Sequence, residues 1–460
     1  MGLPSWIRSV PARRVRLPHG RHLAGCALAA FLGACGGGDG AGESPGTVQV
    51  VVQDTALAPA DAYGVAFRIP GGTWVTVPAD APGHYTLVLP APAEAVEVAI
   101  RCDGAAPRSR VYVHAFGLSE GRKVLVSYCR RAEATERKLA ISARLPAGAD
   151  RLAVTGSGSR VASEVRASAR GEAHAELPTA VTGDAQDLIL LAGRGEPEVR
   201  PLALAVLRDV DPEAAGTGLR ADLSAPGLRL APAAALDLVA MPPGWEPHYR
   251  LHLLTARGAK LVVQERVGVY SDLLAVPRPA AGGAAAEDWL ELYAESRAGD
   301  GRRVYTRLHR RVGARPSGFV MDFPVPFWSA DYRPRFEPLL VFDGLTDSSP
   351  GHLGYRFRVE RPGAPASWEL NVSDGFLRAM GTAHYVLPDL AMVPGFGDAW
   401  QPTPGEPLRF DAFSGSFEGT DWQAYILAPE PIGNRRHRPI DGQRLRVSRI
   451  QGVLPAQRKR

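Results

Sequence analysis

The polar residues best placed to act together chemically are Asp343, Asp347 and His352, which surround one predicted turn at Pro350-Gly351. Carboxylate oxygens are typical ligands of Ca²⁺, and imidazole nitrogens are typical ligands of transition metals. The spacing of these residues matches no known metal-binding loop. We therefore predict no metal site and no cofactor.

Sequence signatures of catalysis are missing from the rest of the chain. There is no HExxH, GxSxG, P-loop, GxGxxG or CxxC pattern, and the eleven histidines are scattered singly. No catalytic residue is predicted. Because the carboxylate pair of a glycosidase is defined by its separation in space, a hydrolase acting on glycans or peptides is kept as the alternative to a binding protein.

Two tryptophans are predicted to be exposed and to contact a ligand. Trp400 follows Gly397-Asp398-Ala399 and Trp422 follows Gly419-Thr420-Asp421, and both stretches are typical of loops. Indole rings anchor interfaces, and they also stack on sugars. Trp368, by contrast, alternates with polar neighbours on a predicted strand, which is typical of a core residue. A polysaccharide or an envelope protein is the partner that this interpretation favours.

The N-terminus carries the most specific motif of the sequence. Leu32-Gly33-Ala34-Cys35 closes an apolar run over residues 23–34, and five arginines but no acidic residue precede this run. The first 40 or so residues resemble the signal and lipobox of bacterial lipoproteins. The resemblance implies cleavage before Cys35, a diacylglycerol on the sulfur of Cys35 and an acyl chain on its amine.

A second cysteine competes for this role. Leu23-Ala24-Gly25-Cys26 fits the same consensus, but residues 19–22 (HGRH) put no apolar core in front of it. The apolar run of twelve residues would rise about 18 Å as a helix, whereas a hydrocarbon core is roughly 30 Å thick. We therefore predict a signal peptide over residues 1–34 and lipidation at Cys35. An ordinary signal peptide with cleavage nearby is the alternative.

The lipobox predicts where the protein lies. Lipid chains at Cys35 would anchor it in a membrane, and Gly36 is compatible with an outer-membrane destination. Residues 35–46 are rich in glycine and are predicted to be a flexible tether with a span of about 20 Å. The sequence thus predicts an extracytoplasmic lipoprotein of the cell envelope with a binding or structural role.

Charge argues against nucleic acid as a partner. The whole chain has 53 basic and 48 acidic residues, but five of the arginines lie in the predicted signal peptide. The predicted mature chain therefore carries 48 residues of each sign and no formal net charge. A basic excess persists only near the end of the chain, up to Arg460, where we predict a solvated tail.

Export also accounts for the four cysteines. Cys26 would leave with the signal peptide and Cys35 would carry the lipid. Cys102 and Cys129 remain as one even pair in an oxidising compartment. We predict that they form a disulfide, which would close a loop of about 27 residues and stabilise the fold by roughly 3 kcal/mol. Two separate buried thiols are the alternative.

The remaining residues predict an all-β fold. Short apolar alternations recur at 8–12-residue spacing, with glycine and proline turns between them. Residues 277–286 are typical of a linker. We expect β-sandwich-like domains in series, the first with the disulfide and the last rich in aromatic residues, at residues 47–131, 132–230, 231–323 and 324–460.

The clearest predicted hairpin spans residues 289–308, with its turn at residues 298–301. Its glutamates and arginines alternate along the two strands, so one register sets opposite charges across the pair. The predicted partners are Glu291 with Arg307 and Glu295 with Arg303.

A faint internal similarity links distant parts of the chain. Gly83-His84-Tyr85 leads to Leu89-Pro90, and Ala383-His384-Tyr385 leads to Leu387-Pro388. Either a repeated sandwich topology or coincidence would produce it.

Overall fold

The chain folds almost entirely into β-strands, so the all-β prediction is confirmed. The computed structural model describes residues 46–53, 59–102, 109–120, 124–129, 136–159, 162–180, 185–195, 198–213, 218–364, 366–427 and 439–455. The predicted signal peptide, Cys26, Cys35 and residues 456–460 lie outside the described residues. No described helix is both long enough and apolar enough to cross a membrane.

The strands that the structure describes come in four consecutive groups of seven. The first group is β1 Gly46–Gln53, β2 Gly64–Arg68, β3 Val75–Thr76, β4 His84–Leu89, β5 Ala95–Arg101, β6 Arg110–Gly117 and β7 Val124–Tyr128. The second is β8 Glu136–Arg144, β9 Arg151–Gly156, β10 Ser163–Arg166, β11 Glu172–Ala180, β12 Gln186–Arg194, β13 Arg200–Val210 and β14 Leu219–Asp222. The third is β15 Pro232–Val239, β16 Glu246–Leu254, β17 Lys260–Val267, β18 Ser271–Ala275, β19 Trp289–Arg297, β20 Arg302–Arg311 and β21 Gly318–Asp322. The fourth is β22 Arg335–Glu337, β23 Leu339–Phe342, β24 His352–Glu360, β25 Ser367–Ser373, β26 Tyr385–Val386, β27 Leu408–Phe417 and β28 Arg444–Leu454, with helices α1 Asp374–Met380 and α2 Trp422–Leu427.

The first three groups share one topology. In each, the first strand lies at the centre of a three-stranded sheet, antiparallel to the fourth strand and parallel to the seventh. The second, third, fifth and sixth strands form a four-stranded sheet in the order 3-2-5-6. Alternate apolar side chains of the two sheets face each other and form one core per group. Each group is therefore a seven-stranded sandwich.

The fourth group has the same arrangement with one strand relocated. Its three-stranded sheet is β22-β23-β26, in which β26 takes the place of the fourth strand. Strand β22 takes the place of the seventh strand but runs antiparallel to the central strand β23. The two His-Tyr stretches of the faint sequence similarity lie at the start of β4 and of β26. These two strands occupy equivalent positions in their three-stranded sheets. This equivalence favours repeated topology over coincidence.

Three of the four-stranded sheets join edge to edge. The result is one twelve-stranded sheet in the order β17-β16-β19-β20-β28-β27-β24-β25-β6-β5-β2-β3. Strands β20 and β28 pair antiparallel, and strands β25 and β6 pair parallel. The third, fourth and first sandwiches are consequently parts of one hydrogen-bonded sheet.

The second sandwich keeps a separate sheet and packs against the third. On β12, Leu188 and Leu190 face their own core, whereas Ile189 and Leu191 join the core of the third sandwich. Both faces of β12 are therefore buried. Residues 277–286 are packed rather than a free linker, because the carbonyl of Gly282 accepts a hydrogen bond from Val206 on β13.

The four predicted domain ranges correspond to these groups of strands, but their boundaries stay predictions. Residues Ser44–Arg460 form one compact unit, and the shared sheet crosses the predicted boundaries. The disulfide between Cys102 and Cys129 is present. Cys102 follows β5 and Cys129 follows β7, so the bond links the two sheets of the first sandwich.

The predicted hairpin forms between β19 and β20, but its predicted register is wrong. Glu291 lies opposite His309 rather than Arg307, and the second predicted pair shifts by the same amount. The axis of strand pairing lies at Asp300, one residue later than the predicted pairs imply. The carboxylate of Asp300 accepts hydrogen bonds from the backbone and side chain of Arg302. Because the shift is two residues along one strand, the same side chains stay on the same face.

Candidate functional site

Trp422 lies in the interior, so its predicted exposure is wrong. It opens helix α2, is 6% exposed, and stacks on Phe116 with ring centroids 5.5 Å apart. The helix approaches the twelve-stranded sheet closely at Gly354, where a Cβ atom would meet the indole of Trp422 at 3.2 Å. Asp421, in the loop before α2, accepts a hydrogen bond from the backbone of Ala424, so the loop-like residues begin a helix.

Trp400 is half-buried, and its polar groups are engaged within the fourth sandwich. Its indole nitrogen donates to the carboxylate of Glu406, and its carbonyl accepts from the indole of Trp368 at 2.6 Å. Trp368 itself is fully buried, as its alternation predicts. Ligand contact by Trp400 stays a prediction.

The predicted turn brings Asp347 and His352 together but not Asp343, which pairs with Arg335 at 3.0 Å. Two residues that sequence spacing did not indicate complete the cluster. His352 Nδ1 lies 2.9 Å from Asp374 at the start of α1, and its Nε2 lies 3.0 Å from Ser414 Oγ on β27.

This cluster of His352, Ser414, Asp374 and Asp347 contains the hydrogen-bonded serine, histidine and carboxylate of a nucleophilic triad. The hydroxyl of Ser414, however, donates to Asp347 rather than to His352. Ser414 is also only 1% exposed, so a substrate carbonyl cannot reach its oxygen in this conformation. The cluster therefore ties the turn, α1 and β27 together, and it does not form an activated nucleophile.

A group of buried and half-buried ionisable side chains lies on the third sandwich. We call it the acid–base cluster. It covers the face of β16, β17, β19 and β20 that points away from their core. Its members are His248, His252, Lys260, Glu291, Glu295, Arg307 and His309. Strand alternation places it there, because Leu290, Leu292 and Ala294 fill the core from the other face of β19.

Glu291 is the centre of the acid–base cluster and has no exposed surface. Its carboxylate lies 2.6 Å from Lys260 Nζ, 3.2 Å from His309 Nε2 and 3.5 Å from Arg307 Nε. Burial by itself would raise the pKa of Glu291. The charges of Arg307 and Lys260 and the hydrogen bond with His309 outweigh burial and hold that pKa well below its usual range. Glu291 is therefore ionised at neutral pH.

Glu295 is ionised for a similar reason. Burial opposes the charge, but hydrogen bonds with His248 and Tyr293 and the nearby Arg297 bring the pKa of Glu295 to about 2. The Tyr293 hydroxyl donates to this carboxylate at 2.5 Å. The ring of His248 also lies 2.7 Å from Glu265, so it bridges two carboxylates.

Two histidines of the cluster are held neutral. Burial, together with the charge of Lys260, lowers the pKa of His252 to about 3. Burial also lowers the pKa of His309, although its hydrogen bond with Glu291 acts in the opposite direction. At neutral pH the cluster thus contains ionised Glu291 and Glu295 and neutral His252 and His309. Among the described residues, Nδ1 of His252 and Nδ1 of His309 have no hydrogen-bond partner.

This electrostatic state does not suit glycoside hydrolysis. A general acid needs a raised pKa, whereas the pKa values of Glu291 and Glu295 are lowered. Burial raises the pKa of Asp288, but its carboxylate is bound to Arg208 at 2.5 Å and is not exposed.

Metal binding is not indicated either. Across the part of the chain that the structure describes, no group of three or more histidine, cysteine, aspartate or glutamate side chains could hold a metal ion. The acid–base cluster is therefore best described as a structural network that joins four strands.

Comparisons with known proteins give no family. No family model matches the chain, and no curated protein matches it significantly. Among solved structures, the Bacillus anthracis TIE protein is 9% identical with a TM-score of 0.16, and the match covers 61% of this chain and half of that protein's chain. A Ca²⁺-stabilised adhesin with which an Antarctic bacterium binds ice is 12% identical with a TM-score of 0.12, over 82% of this chain and 95% of that chain. A tetra-tandem repeat from the extending region of a large adhesion protein is 10% identical with a TM-score of 0.13, over 89% of this chain and 100% of that chain. These TM-scores are too low for the similarities to support an inference about this chain.

Removing the central carboxylate should destabilise the fold strongly. Glu291→Gln leaves Lys260 and Arg307 without their buried counter-charge, and we expect the free energy of unfolding to fall by about 3–5 kcal/mol. Denaturant unfolding at pH 7 measures this. The matched control is Glu164→Gln, because Glu164 pairs with Arg151 at the surface and its side chain is 52% exposed. For Glu164→Gln the free energy of unfolding should fall by only about 0–1 kcal/mol. Equal falls in the two variants would contradict the claim that Glu291 is the central counter-charge of the acid–base cluster.

The network also sets a pH dependence. The pKa of Glu295 is lowered to about 2 in the folded state, and an unfolded glutamate titrates near pH 4.3. The stability it contributes is thus fully present above about pH 5 and is lost as the pH falls towards 2. We expect the unfolding free energy of Glu295→Gln to fall less steeply than that of the wild type between pH 5 and pH 2.5, as measured by urea denaturation. Parallel profiles would show that Glu295 is not the titrating group.

Proposed function

We propose that the protein is a membrane-anchored extracytoplasmic lipoprotein with a binding or structural role at the cell envelope. The observation that carries this proposal is the shared twelve-stranded sheet, which joins three sandwiches without a free linker between them. Relative movement of these sandwiches would break the backbone ladders of β20 with β28 and of β25 with β6. A body built in this way suits a scaffold that presents fixed surfaces.

The disulfide supports an extracytoplasmic location. Cys102 and Cys129 are bonded, and disulfides persist mainly in oxidising compartments. Two features of the sequence point the same way. One is the lipobox before Cys35, and the other is the glycine-rich stretch that would separate the lipid from the first strand at Gly46.

The anchor places the protein at a membrane, and we infer the outer membrane from Gly36. The partners we propose are the membrane itself, through the lipid at Cys35, and an envelope protein or polysaccharide. Nucleic acid is not proposed, since the predicted mature chain has no formal net charge. A hydrolase is not favoured by Ser414, Glu291 or Glu295, because the first is inaccessible and the two glutamates are ionised.

The anchor is tested by metabolic labelling of cells with an alkyne fatty acid. We expect the wild type and Cys26→Ala to carry the label and Cys35→Ala to lose it, because the lipid is attached to the mature N-terminal cysteine. Cell fractionation should move Cys35→Ala out of the membrane fraction. Label retained by Cys35→Ala and lost from Cys26→Ala would move the site to Cys26, and no label in any form would refute the anchor.

A further inference from the structure

The outer face of the third sandwich's small sheet carries several exposed apolar side chains. Strand β15 lies between β18 and β21, and its even-numbered residues from Ala234 to Leu238 fill the core. The residues that point away from the core form what we call the β15 face. Its members are Ala235, Asp237, Val239, Ser271, Leu273, Gly318, Val320 and Asp322.

The apolar members of the β15 face are well exposed. Leu273 is 60% exposed, Val320 54% and Val239 40%, and Tyr270 at the margin is 56% exposed. Leu273 lies directly opposite Ala235 across the sheet, so these side chains are neighbours. Contiguous exposed apolar surface of this kind marks interaction sites on soluble proteins.

Two carboxylates lie on this face. Asp322, opposite Val239, pairs with Arg444 and Arg446, whereas Asp237 lies in the middle of the apolar side chains. Asp237 is exposed and lies between Ser271 on β18 and Val320 on β21. Among the described residues, none forms a hydrogen bond or ion pair with its carboxylate. The side chain is therefore solvated in the free protein and would lose that solvation under any partner.

The topologically equivalent faces of the first two sandwiches provide an internal comparison. On the second sandwich, Lys138 pairs with Glu176 at 2.9 Å across the same two strands. On the first, the side chain of Gln49 donates to Thr86 at 3.0 Å. The outer face of the first sandwich is also partly apolar, since Val88 is 59% and Val124 43% exposed there. The β15 face differs from both in carrying a carboxylate without a partner among the described residues.

These properties restrict what can cover the β15 face. An apolar partner alone would bury the charge of Asp237 without compensation, which is costly. Two copies packed symmetrically would bring like charges together. The anionic surface of a lipid bilayer would repel the carboxylate. A cation among apolar side chains satisfies both features of the face.

We propose that the β15 face binds a protein segment that presents one lysine or arginine between apolar side chains. The cation pairs with Asp237, and its apolar neighbours cover Leu273, Val320 and Val239. This inference rests on the proposed binding role and names its partner class, but it does not depend on the lipid anchor.

The test uses the full-length protein purified in detergent and three cyclic β-hairpin peptides. Each peptide carries Val-X-Val on one face, with lysine, norleucine or glutamate as X, and affinities are measured by fluorescence anisotropy. We expect the lysine peptide to bind at least tenfold more tightly than the glutamate peptide, with norleucine in between. In Asp237→Lys the order should reverse, and Leu273→Ser should weaken all three.

Lys138→Glu on the equivalent face of the second sandwich is the matched control, and its affinities should equal those of the wild type. Affinities that do not depend on X, or an order that Asp237→Lys leaves unchanged, would overturn the proposal. So would a lack of measurable binding together with self-association of Asp237→Asn in size-exclusion chromatography. That result would make Asp237 a charge that keeps an apolar face from aggregating. Fatty-acid labelling at Cys35 would be unaffected by any of these outcomes.

Discussion

An edge strand must pair its backbone groups or expose them to other chains, and this constraint organises the molecule. Each four-stranded sheet would end in two open edges. Pairing β20 with β28 and β25 with β6 closes four of these edges at once. In the second sandwich, loop residues shield β13 instead, through hydrogen bonds of Leu230 with Leu202 and of Val206 with Gly282. The sandwiches are thus coupled because their edges satisfy each other.

Edge pairing also brings charged groups into the interior. Once β6 joins β25, the sheet of the first sandwich has its own core on one face and the fourth core on the other, so every residue of β5 is buried. Glu97 on β5 is satisfied there by Arg68 at 2.5 Å and by Tyr385 at 2.7 Å. Arg101 donates to the carbonyl of Gly395 at 2.8 Å and pairs with Asp398. These contacts bind the first sandwich to the fourth, as the acid–base cluster binds the strands of the third.

Sequence pattern predicted the strands and the disulfide, because strands depend on local alternation and the disulfide on cysteine number. It did not predict the shared sheet, since pairing of β25 with β6 links residues more than 250 positions apart. The same limit hid Asp374 and Ser414, which reach His352 from α1 and β27. The acid–base cluster left a readable signal in the alternating charges of Glu291 and Glu295. The burial of the cluster depends on neighbouring strands. An error of one residue in the pairing axis of the hairpin was enough to assign the wrong cross-strand partners to both glutamates.

The central claim is that the first and fourth sandwiches share one continuous sheet, so that the surfaces they present are fixed relative to each other. Native-state amide hydrogen exchange of the full-length protein tests this most directly at the junction of β25 Ser367–Ser373 with β6 Arg110–Gly117. We predict that junction amides exchange as slowly as those in the ladder between β24 and β25, because all of them open only with the whole sheet. Junction amides that exchange orders of magnitude faster than that ladder would show that the two sandwiches separate independently, and would contradict the account.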